Sequence, residues 1–215
     1  MPVPMTLEPT LERAIPAHCR KGAGACVCAG VEPFANRHRV LVLQHPQEQD
    51  AALGTACVVT ATLRQAVLKV GLSWPNLSRA LGENVDPKKW GVLYLGPRPD
   101  QKLQSVLTLV DRKGEPLPDQ KAARAGLEGI VLLDGSWSQA KALWWRNAWL
   151  LKLTRVVLTP GQPSRYGTLR KEPRRESLST VESAALALSE LAGDPALAAH
   201  MVAPFERMLA GYRQR

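Results

Sequence analysis

Short apolar runs alternate along this chain with longer stretches in which apolar residues recur at helical spacing. Strands are predicted at the apolar runs 40–43, 92–95, 106–110, 130–133 and 155–158. Helices are predicted over 54–70, 136–151, 180–192 and 195–212. This alternation is typical of an α/β fold with a mainly parallel sheet flanked by helices.

The N-terminal part of the chain lacks this periodicity. Residues 1–33 contain prolines, glycines and cysteines and are predicted to be a lead-in followed by a small cysteine-containing segment. Residues 34–215 then form one α/β domain, since a chain of 215 residues can bury a substantial core.

The strand at 130–133 runs directly into a tryptophan-rich helix through Asp134, Gly135 and Ser136. Ser136 and Gln139 have the spacing of a capping box, in which the serine caps the helix. Asp134 lies two residues before that cap, at the carboxyl end of a strand, where α/β proteins gather ligand-binding groups. Trp137, at the first helical position, could stack on a base. The later tryptophans, Trp144, Trp145 and Trp149, are expected to pack inside the protein. The residues that recur at helical spacing and form the predicted buried face of this helix are Ala140, Leu143, Trp144, Ala148 and Leu151.

The longest polar connection, 159–178, is strongly basic. Tyr166 among cations offers stacking together with phosphate contacts, whereas Arg170 and Lys171 could hold a carboxylate or phosphate ligand. The alternative is a solvated charged loop. A second capping-box spacing follows at Ser179 and Glu182, so Glu182 serves either a ligand or only its helix cap.

Charge and cysteine usage narrow the partners and the location. The formal net charge of +9 favours a polyanion, with nucleic acid as the first candidate. No apolar run reaches membrane-spanning length and the N-terminus does not resemble a signal peptide, so we expect a cytoplasmic protein without structural disulfides. Cys19, Cys26 and Cys28 suggest a zinc site, although a fourth ligand is not evident; Cys57 is expected in the core.

Taken in order, these segments resemble the DTW-domain family, the tRNA-uridine aminocarboxypropyltransferases. The matching segments are Cys19…Cys26-x-Cys28, Leu43-Gln44-His45-Pro46-x-Glu48, Leu133-Asp134-Gly135-Ser136-Trp137, Tyr166-Gly167-Thr168-Leu169-Arg170-Lys171-Glu172-Pro173 and Leu178-Ser179-Thr180-x-Glu182. The chain departs from the family pattern at Ser136, where the family has threonine, and at Pro16, where it has the first of four cysteines.

The resemblance implies a SPOUT-like fold with a knotted C-terminal half. It also implies transfer of the 3-amino-3-carboxypropyl group of S-adenosylmethionine to N3 of a uridine in tRNA. We expect tRNA as the partner and no membrane association, and no obligate protein partner is evident. The expected catalytic residues are Asp134, Ser136 and Trp137. The expected donor-binding residues are Leu95, Gly96, Pro97, Arg170, Lys171 and Glu182, and the expected RNA-binding residues are Arg165, Tyr166, Arg174 and Arg175. Two alternatives stay open: an RNA methyltransferase of similar fold, and a non-catalytic zinc-knuckle RNA-binding module.

Overall fold

Six strands hydrogen-bond into a single sheet in the computed structural model, which describes residues 21, 26–28, 30–93, 105–170 and 178–214. In chain order the strands are β1 (Arg39–Gln44), β2 (Ala66–Val70), β3 (Trp90–Leu93), β4 (Leu107–Val110), β5 (Gly129–Asp134) and β6 (Thr154–Leu158). Their spatial order is β2-β1-β5-β3-β6-β4. All neighbours are parallel except β4 and β6, which are antiparallel.

The centre of the sheet contains a topological switch point. From β1 the chain goes to β2 on one side, whereas from β5 it goes to β6 on the other side. Connections that diverge from two adjacent parallel strands leave a crevice at their carboxyl ends, which is where open α/β sheets bind ligands. Gln44 and Asp134 are the paired last residues of β1 and β5, so they stand at this crevice.

Within the described residues, six α-helices flank the sheet. They are α1 (Ala56–Thr62), α2 (Leu77–Leu81), α3 (Gln120–Ala125), α4 (Trp137–Arg146), α5 (Thr180–Ala192) and α6 (Pro195–Arg213). Short 3-10 helices occur at Pro46–Glu48, Pro87–Lys89 and Ala148–Lys152. No helix among the described residues is long and apolar enough to cross a bilayer.

The alternation of side chains along β1 divides the core into two layers. Val40 and Val42 pack with α1, α5 and α6 on one face of the sheet. Leu41 and Leu43 pack on the other face, with a group that includes Trp90 and Trp149. Because β1 is buried on both faces, its sequence reads as a continuous apolar run.

The predicted α/β architecture is confirmed, but two predicted helices differ in extent. The helix predicted over 54–70 is wrong in its second half, since α1 ends at Thr62 and residues 66–70 form β2. Val67 and Val70 are β-branched, and their segment gains a full parallel ladder with β1, which outweighs helical spacing. The helix predicted over 136–151 ends at Arg146, because Asn147 turns inward and its Nδ2 donates to the carbonyl oxygens of Leu143 and Leu72.

Candidate active site

The buried carboxylate of Asp134 is the centre of the site. Asp134 is only 4% exposed at the carboxyl end of β5. Gln44 donates from Nε2 to Oδ2 of Asp134 at 2.8 Å, and the Thr180 hydroxyl donates to Oδ1. Three elements, β1, β5 and the first turn of α5, thus converge on one carboxylate.

The turn after Asp134 is tight, and its geometry requires glycine. A Cβ on Gly135 would lie 2.8 Å from the Gln139 Cβ and 3.4 Å from the His45 Cβ. The backbone N–H of His45 donates to the Asp134 carbonyl at 3.0 Å, which ties the end of β1 to the end of β5. These two turns therefore lie close together at the carboxyl ends of β1 and β5.

Burial raises the pKa of Asp134 above its ordinary value, because the charged form is desolvated. The hydrogen bonds from Thr180 and Gln44 and the charges of Arg170 and Lys21 act in the opposite direction without cancelling the effect of burial. A carboxylate whose pKa is raised in this way is a stronger base than one in water, and this is typical of active sites.

Among the positive charges that act on this carboxylate, Arg170 lowers the pKa of Asp134 most, ahead of Lys21. Its Nη2 lies 3.2 Å from Oε1 of Glu48, which is largely buried in the 3-10 helix after β1. The guanidinium also lies over the ring of Tyr166, 5.6 Å from its centroid. Glu48 and Tyr166 together fix the direction of Arg170, whose fork of five donors can hold a second carboxylate besides Glu48.

Glu182 anchors the basic loop to the start of α5. It is 4% exposed and closes the capping box with Ser179. Its carboxylate also accepts hydrogen bonds from the Ser164 hydroxyl at 2.7 Å and from the Arg165 backbone N–H at 2.8 Å. Arg165 in turn donates from Nε to Glu206 at 2.9 Å. One buried carboxylate therefore holds both the helix that carries Thr180 and the loop that carries Arg170.

Ser136 and Trp137 begin α4 beside Asp134. Both interactions of the predicted capping box are present: the Ser136 hydroxyl accepts from Gln139 N, and Gln139 Oε1 accepts from Ser136 N at 2.6 Å. Trp137 is partly exposed at the first helical position. The two residues thus flank the crevice next to the carboxylate.

A family model described as the DTW domain matches residues 14–213. The chain belongs to the DTW-domain family. No solved structure matches the chain.

Curated relatives of this DTW-domain chain have one name in common. Proteins named tRNA-uridine aminocarboxypropyltransferase 2 are similar to it in Macaca fascicularis (29% identity, 87% of this chain and 59% of the relative), Drosophila melanogaster (28%, 96% and 78%) and Mus musculus (26%, 88% and 60%). The chain therefore spans about three fifths of the length of the two mammalian relatives.

Two aromatic residues of the DTW domain occupy environments that differ from those expected. Tyr166 is 2% exposed, packs edge-on against Phe205 at 5.1 Å and donates its hydroxyl to the Leu53 carbonyl at 2.6 Å, so its ring is not presented for stacking on a base. Trp145 was expected to pack in the core and is instead 74% exposed. Because α4 ends at Arg146, the predicted buried face does not continue, and Ala148 and Leu151 are exposed as well.

Several predicted site residues of the DTW domain lie outside the described residues. They are Cys19, Leu95, Gly96, Pro97, Lys171, Arg174 and Arg175. Cys28 and Cys57 are buried, and the Cys28 thiol donates to the Cys57 carbonyl. Within the described part of the chain, no group of three histidine, cysteine or acidic side chains could hold a metal ion. The zinc site stays a prediction.

Gln44, Glu48 and Thr180 belong to the site, yet the residue-by-residue predictions gave none of them a role. Gln44 follows an apolar run directly, and the ends of neighbouring parallel strands meet at one edge of a sheet. That signal could have paired Gln44 with Asp134. The contacts from Glu48 to Arg170 and from Thr180 to Asp134 span 122 and 46 residues, and local spacing does not predict them.

Proposed function

We propose that this chain transfers the 3-amino-3-carboxypropyl group of S-adenosylmethionine to N3 of a uridine in tRNA. The observation that carries the proposal is a buried carboxylate at the switch point, held by Gln44 and Thr180 and faced by Arg170. The family and the names of the curated relatives support the same reaction.

The proposed step is a displacement at carbon. N3 of the uracil attacks the γ-carbon of the methionine moiety, and a new N–C bond forms. The bond between that carbon and the sulfonium breaks, its electron pair stays on sulfur, and methylthioadenosine leaves. The N3 proton passes to a base. Since the sulfonium is already a good leaving group, the protein's tasks are to position the γ-carbon and to accept this proton.

Asp134 is the proposed base. Its raised pKa makes it better matched to a weakly acidic N–H than an ordinary carboxylate. Thr180 donates to Oδ1 and is partly exposed, so its hydroxyl oxygen can face the uracil while its own proton faces Asp134. The proton then moves from N3 to the Thr180 oxygen as the Thr180 proton moves to Asp134. Gln44 keeps the other carboxylate oxygen in place.

The remaining residues of the proposal bind the donor and the RNA. Arg170 pairs with the α-carboxylate of the donor, and Glu182 contributes by holding the loop of Arg170 in place. Ser136 and Trp137 border the reacting centre. The proposed donor pocket also includes Leu95, Gly96, Pro97 and Lys171, and the proposed RNA surface includes Arg165, Arg174 and Arg175. The proposed finer architecture is SPOUT-like with a knotted C-terminal half. Its support is the membership of the chain in the DTW-domain family.

The decisive experiment identifies both products. The protein is incubated with unmodified tRNA and S-adenosylmethionine, and the nucleosides and the small molecules are analysed by mass spectrometry. We expect aminocarboxypropyl-uridine and methylthioadenosine in equal amounts, and neither product with the Asp134→Asn variant. S-adenosylhomocysteine with a methylated nucleoside would replace the proposal by a methyltransferase. RNA binding without donor binding or product would replace it by a binding module.

A further inference from the structure

Trp145 is the most exposed large apolar side chain in the described part of the chain. It is 74% exposed, whereas Val70, Leu72, Val106 and Leu151 are between 36% and 42% exposed. The other five tryptophans are all buried or partly buried. An indole left in water has no role in the stability of the core, so its role is to be sought at a surface contact.

Trp145 lies on the same helix, α4, whose first residue borders the candidate active site. Trp137, Lys141 and Trp145 are spaced four residues apart, so they share one face of the helix. Lys141 and Trp145 are exposed, and Trp137 is partly exposed. At 1.5 Å per residue, Trp145 lies about 12 Å beyond Trp137 along the axis. A stacked strand advances about 3.4 Å per nucleotide, so this distance corresponds to about three or four nucleotides.

The end of α4 is held rigidly against the segment after β2. Trp74 N donates to Asn147 Oδ1 at 2.8 Å, Asn147 Nδ2 donates to the Leu72 carbonyl at 3.0 Å, and the Ser73 hydroxyl donates to the Arg146 carbonyl at 3.0 Å. These contacts bring Leu72, which is itself exposed, next to the last turn of α4. The indole therefore projects from a fixed platform, which lowers the entropy cost of binding.

The two segments that form this platform are basic in sequence. Over α4 itself, residues 137–146, the sequence contains Lys141 and Arg146 and no acidic residue. Between residues 63 and 82, the stretch that includes β2 and the segment packed on α4, there are three basic residues and again no acidic one. An exposed aromatic ring on a helix that also carries two exposed cations, Lys141 and Arg146, fits unpaired nucleotides of an RNA strand, because the ring stacks on a base and the cations contact phosphates.

We propose that the α4 row, defined as Lys141 and Trp145 on one face of α4 together with Arg146 in its last turn, binds unpaired nucleotides of the tRNA on one side of the modified uridine. Trp145 stacks on a base, and Lys141 and Arg146 contact the phosphates. This inference rests on the proposed function for the identity of the RNA. It adds a second contact site, which fixes the approach of the strand to Asp134.

The test measures tRNA binding and donor binding separately. Unmodified tRNA is titrated against the full chain by fluorescence anisotropy, and S-adenosylmethionine by calorimetry. The variants are Trp145→Ala, Trp145→Phe and Lys141→Ala. The matched controls are Val106→Ala, an exposed apolar residue preceding β4, and Lys113→Ala, an exposed cation beyond β4. Both controls lie at the opposite edge of the sheet from β2.

Loss of one stacked base is worth about 1–3 kcal/mol, so Trp145→Ala is expected to raise the Kd for tRNA about 5- to 150-fold. Trp145→Phe retains much of the affinity, Lys141→Ala weakens binding more than Lys113→Ala, and donor affinity stays constant. Equal tRNA affinity for Trp145→Ala and Val106→Ala would overturn the inference. A change of oligomeric state in Trp145→Ala, seen by light scattering, would also overturn it and would assign the surface to contacts between copies. Because binding is read without turnover, a wild-type chain that binds tRNA through Trp145 but forms no aminocarboxypropyl product would reject the proposed function alone.

Discussion

Asp134 shows at the scale of one residue how a carboxyl group, the base of the proposed reaction, is kept inside a folded domain. Burial disfavours its ionised form, so the folded protein binds the Asp134 proton more tightly than the unfolded chain does. Wild-type stability therefore falls as the pH rises from about 4, the ordinary value for aspartate, through the higher pKa of the folded state. The ionised carboxylate is destabilising, which is a common property of active-site groups.

Asp134→Asn is expected to abolish transfer, by at least about 100-fold, while preserving or raising the melting temperature at neutral pH. The neutral amide keeps the shape and avoids the desolvation of a charge. The difference in melting temperature between the variant and the wild type should grow between about pH 4 and pH 7. Scanning calorimetry across this range measures it.

Asp111→Asn is the matched control, and its effect on stability is expected to change with pH in the opposite direction. Backbone N–H groups of Glu115, Lys113 and Gly114 lower the pKa of the partly exposed Asp111, with the Glu115 contact contributing most. That carboxylate stabilises the fold above its unfolded pKa, so its variant should lose stability relative to the wild type as pH rises. A constant difference for Asp134→Asn across the range would contradict the assignment of a desolvated carboxylate.

Thr180 is predicted to set the pH dependence of the reaction. Its hydrogen bond lowers the pKa of Asp134, so Thr180→Val should raise that pKa further and move the acidic limb of kcat to higher pH. A hydrogen bond to a charged group is worth about 1.5–3 kcal/mol, which corresponds to a loss of kcat of about 10- to 100-fold. Thr180→Ser keeps the hydroxyl and should remain within a few-fold of wild type. Equal pH profiles for all three proteins would rule out a role for the hydroxyl.

The part of the site that could be predicted is the part encoded locally. Asp134 stood out because neither capping nor packing required a carboxylate there, and both capping boxes followed from residue spacing. Tyr166 was misjudged because a polar neighbourhood in sequence does not reveal that Phe205 and Leu53 enclose its ring. Gln44 and Thr180 acquire their roles only when distant strands and helices meet.

At the scale of elements, the capping box of α5 also organises the basic loop. Glu182→Gln keeps the size of the side chain but loses one acceptor oxygen and the charge near Arg165. A buried, charge-assisted set of hydrogen bonds of this kind is worth about 1–3 kcal/mol, so the melting temperature should fall by about 2–10 °C. The KM for S-adenosylmethionine should rise, because Arg170 is carried by the same loop.

Glu206→Gln separates this effect from a general loss of charge. Glu206 also contacts Arg165, but its side chain is 58% exposed, and exposed pairs contribute about 0–1 kcal/mol. The melting temperature of the Glu206→Gln variant and its KM for S-adenosylmethionine should stay close to those of the wild type. If both variants behave alike, Glu182 is not the anchor of the loop.

The elements themselves were predictable to different degrees. Apolar runs located β1 and β5, since both are buried on two faces and their sequences show it. The segment that forms β2 has the spacing of a helix, and only its pairing with β1 makes it a strand. The helices α2 and α3 are five and six residues long, too short for a periodic pattern to appear.

At the scale of the whole molecule, the sheet order decides where the candidate site lies. Parallel strands were expected, but nothing local specifies that β5 inserts between β1 and β3 and so creates the switch point beside Asp134. The antiparallel pairing of β4 with β6 likewise depends on long-range contacts. Order in the sheet is set by which faces the helices bury, which is a property of the complete chain.

Net charge is the other whole-molecule property, and it predicts how binding responds to salt. With a formal charge of +9, the affinity for tRNA should fall steeply with ionic strength, because each neutralised phosphate releases counterions. In a plot of the logarithm of the tRNA association constant against the logarithm of the salt concentration, the slope should become shallower by about 0.7 for each lost phosphate contact with a single strand. Lys141→Ala and Arg146→Ala should each reduce the slope by about this amount, whereas Lys113→Ala should leave it unchanged. Anisotropy titrations at several salt concentrations measure the slopes. Equal reductions in all three variants would mean that the charge acts as a diffuse field; a reduction confined to Lys141 and Arg146 means that the α4 row is where the phosphates lie.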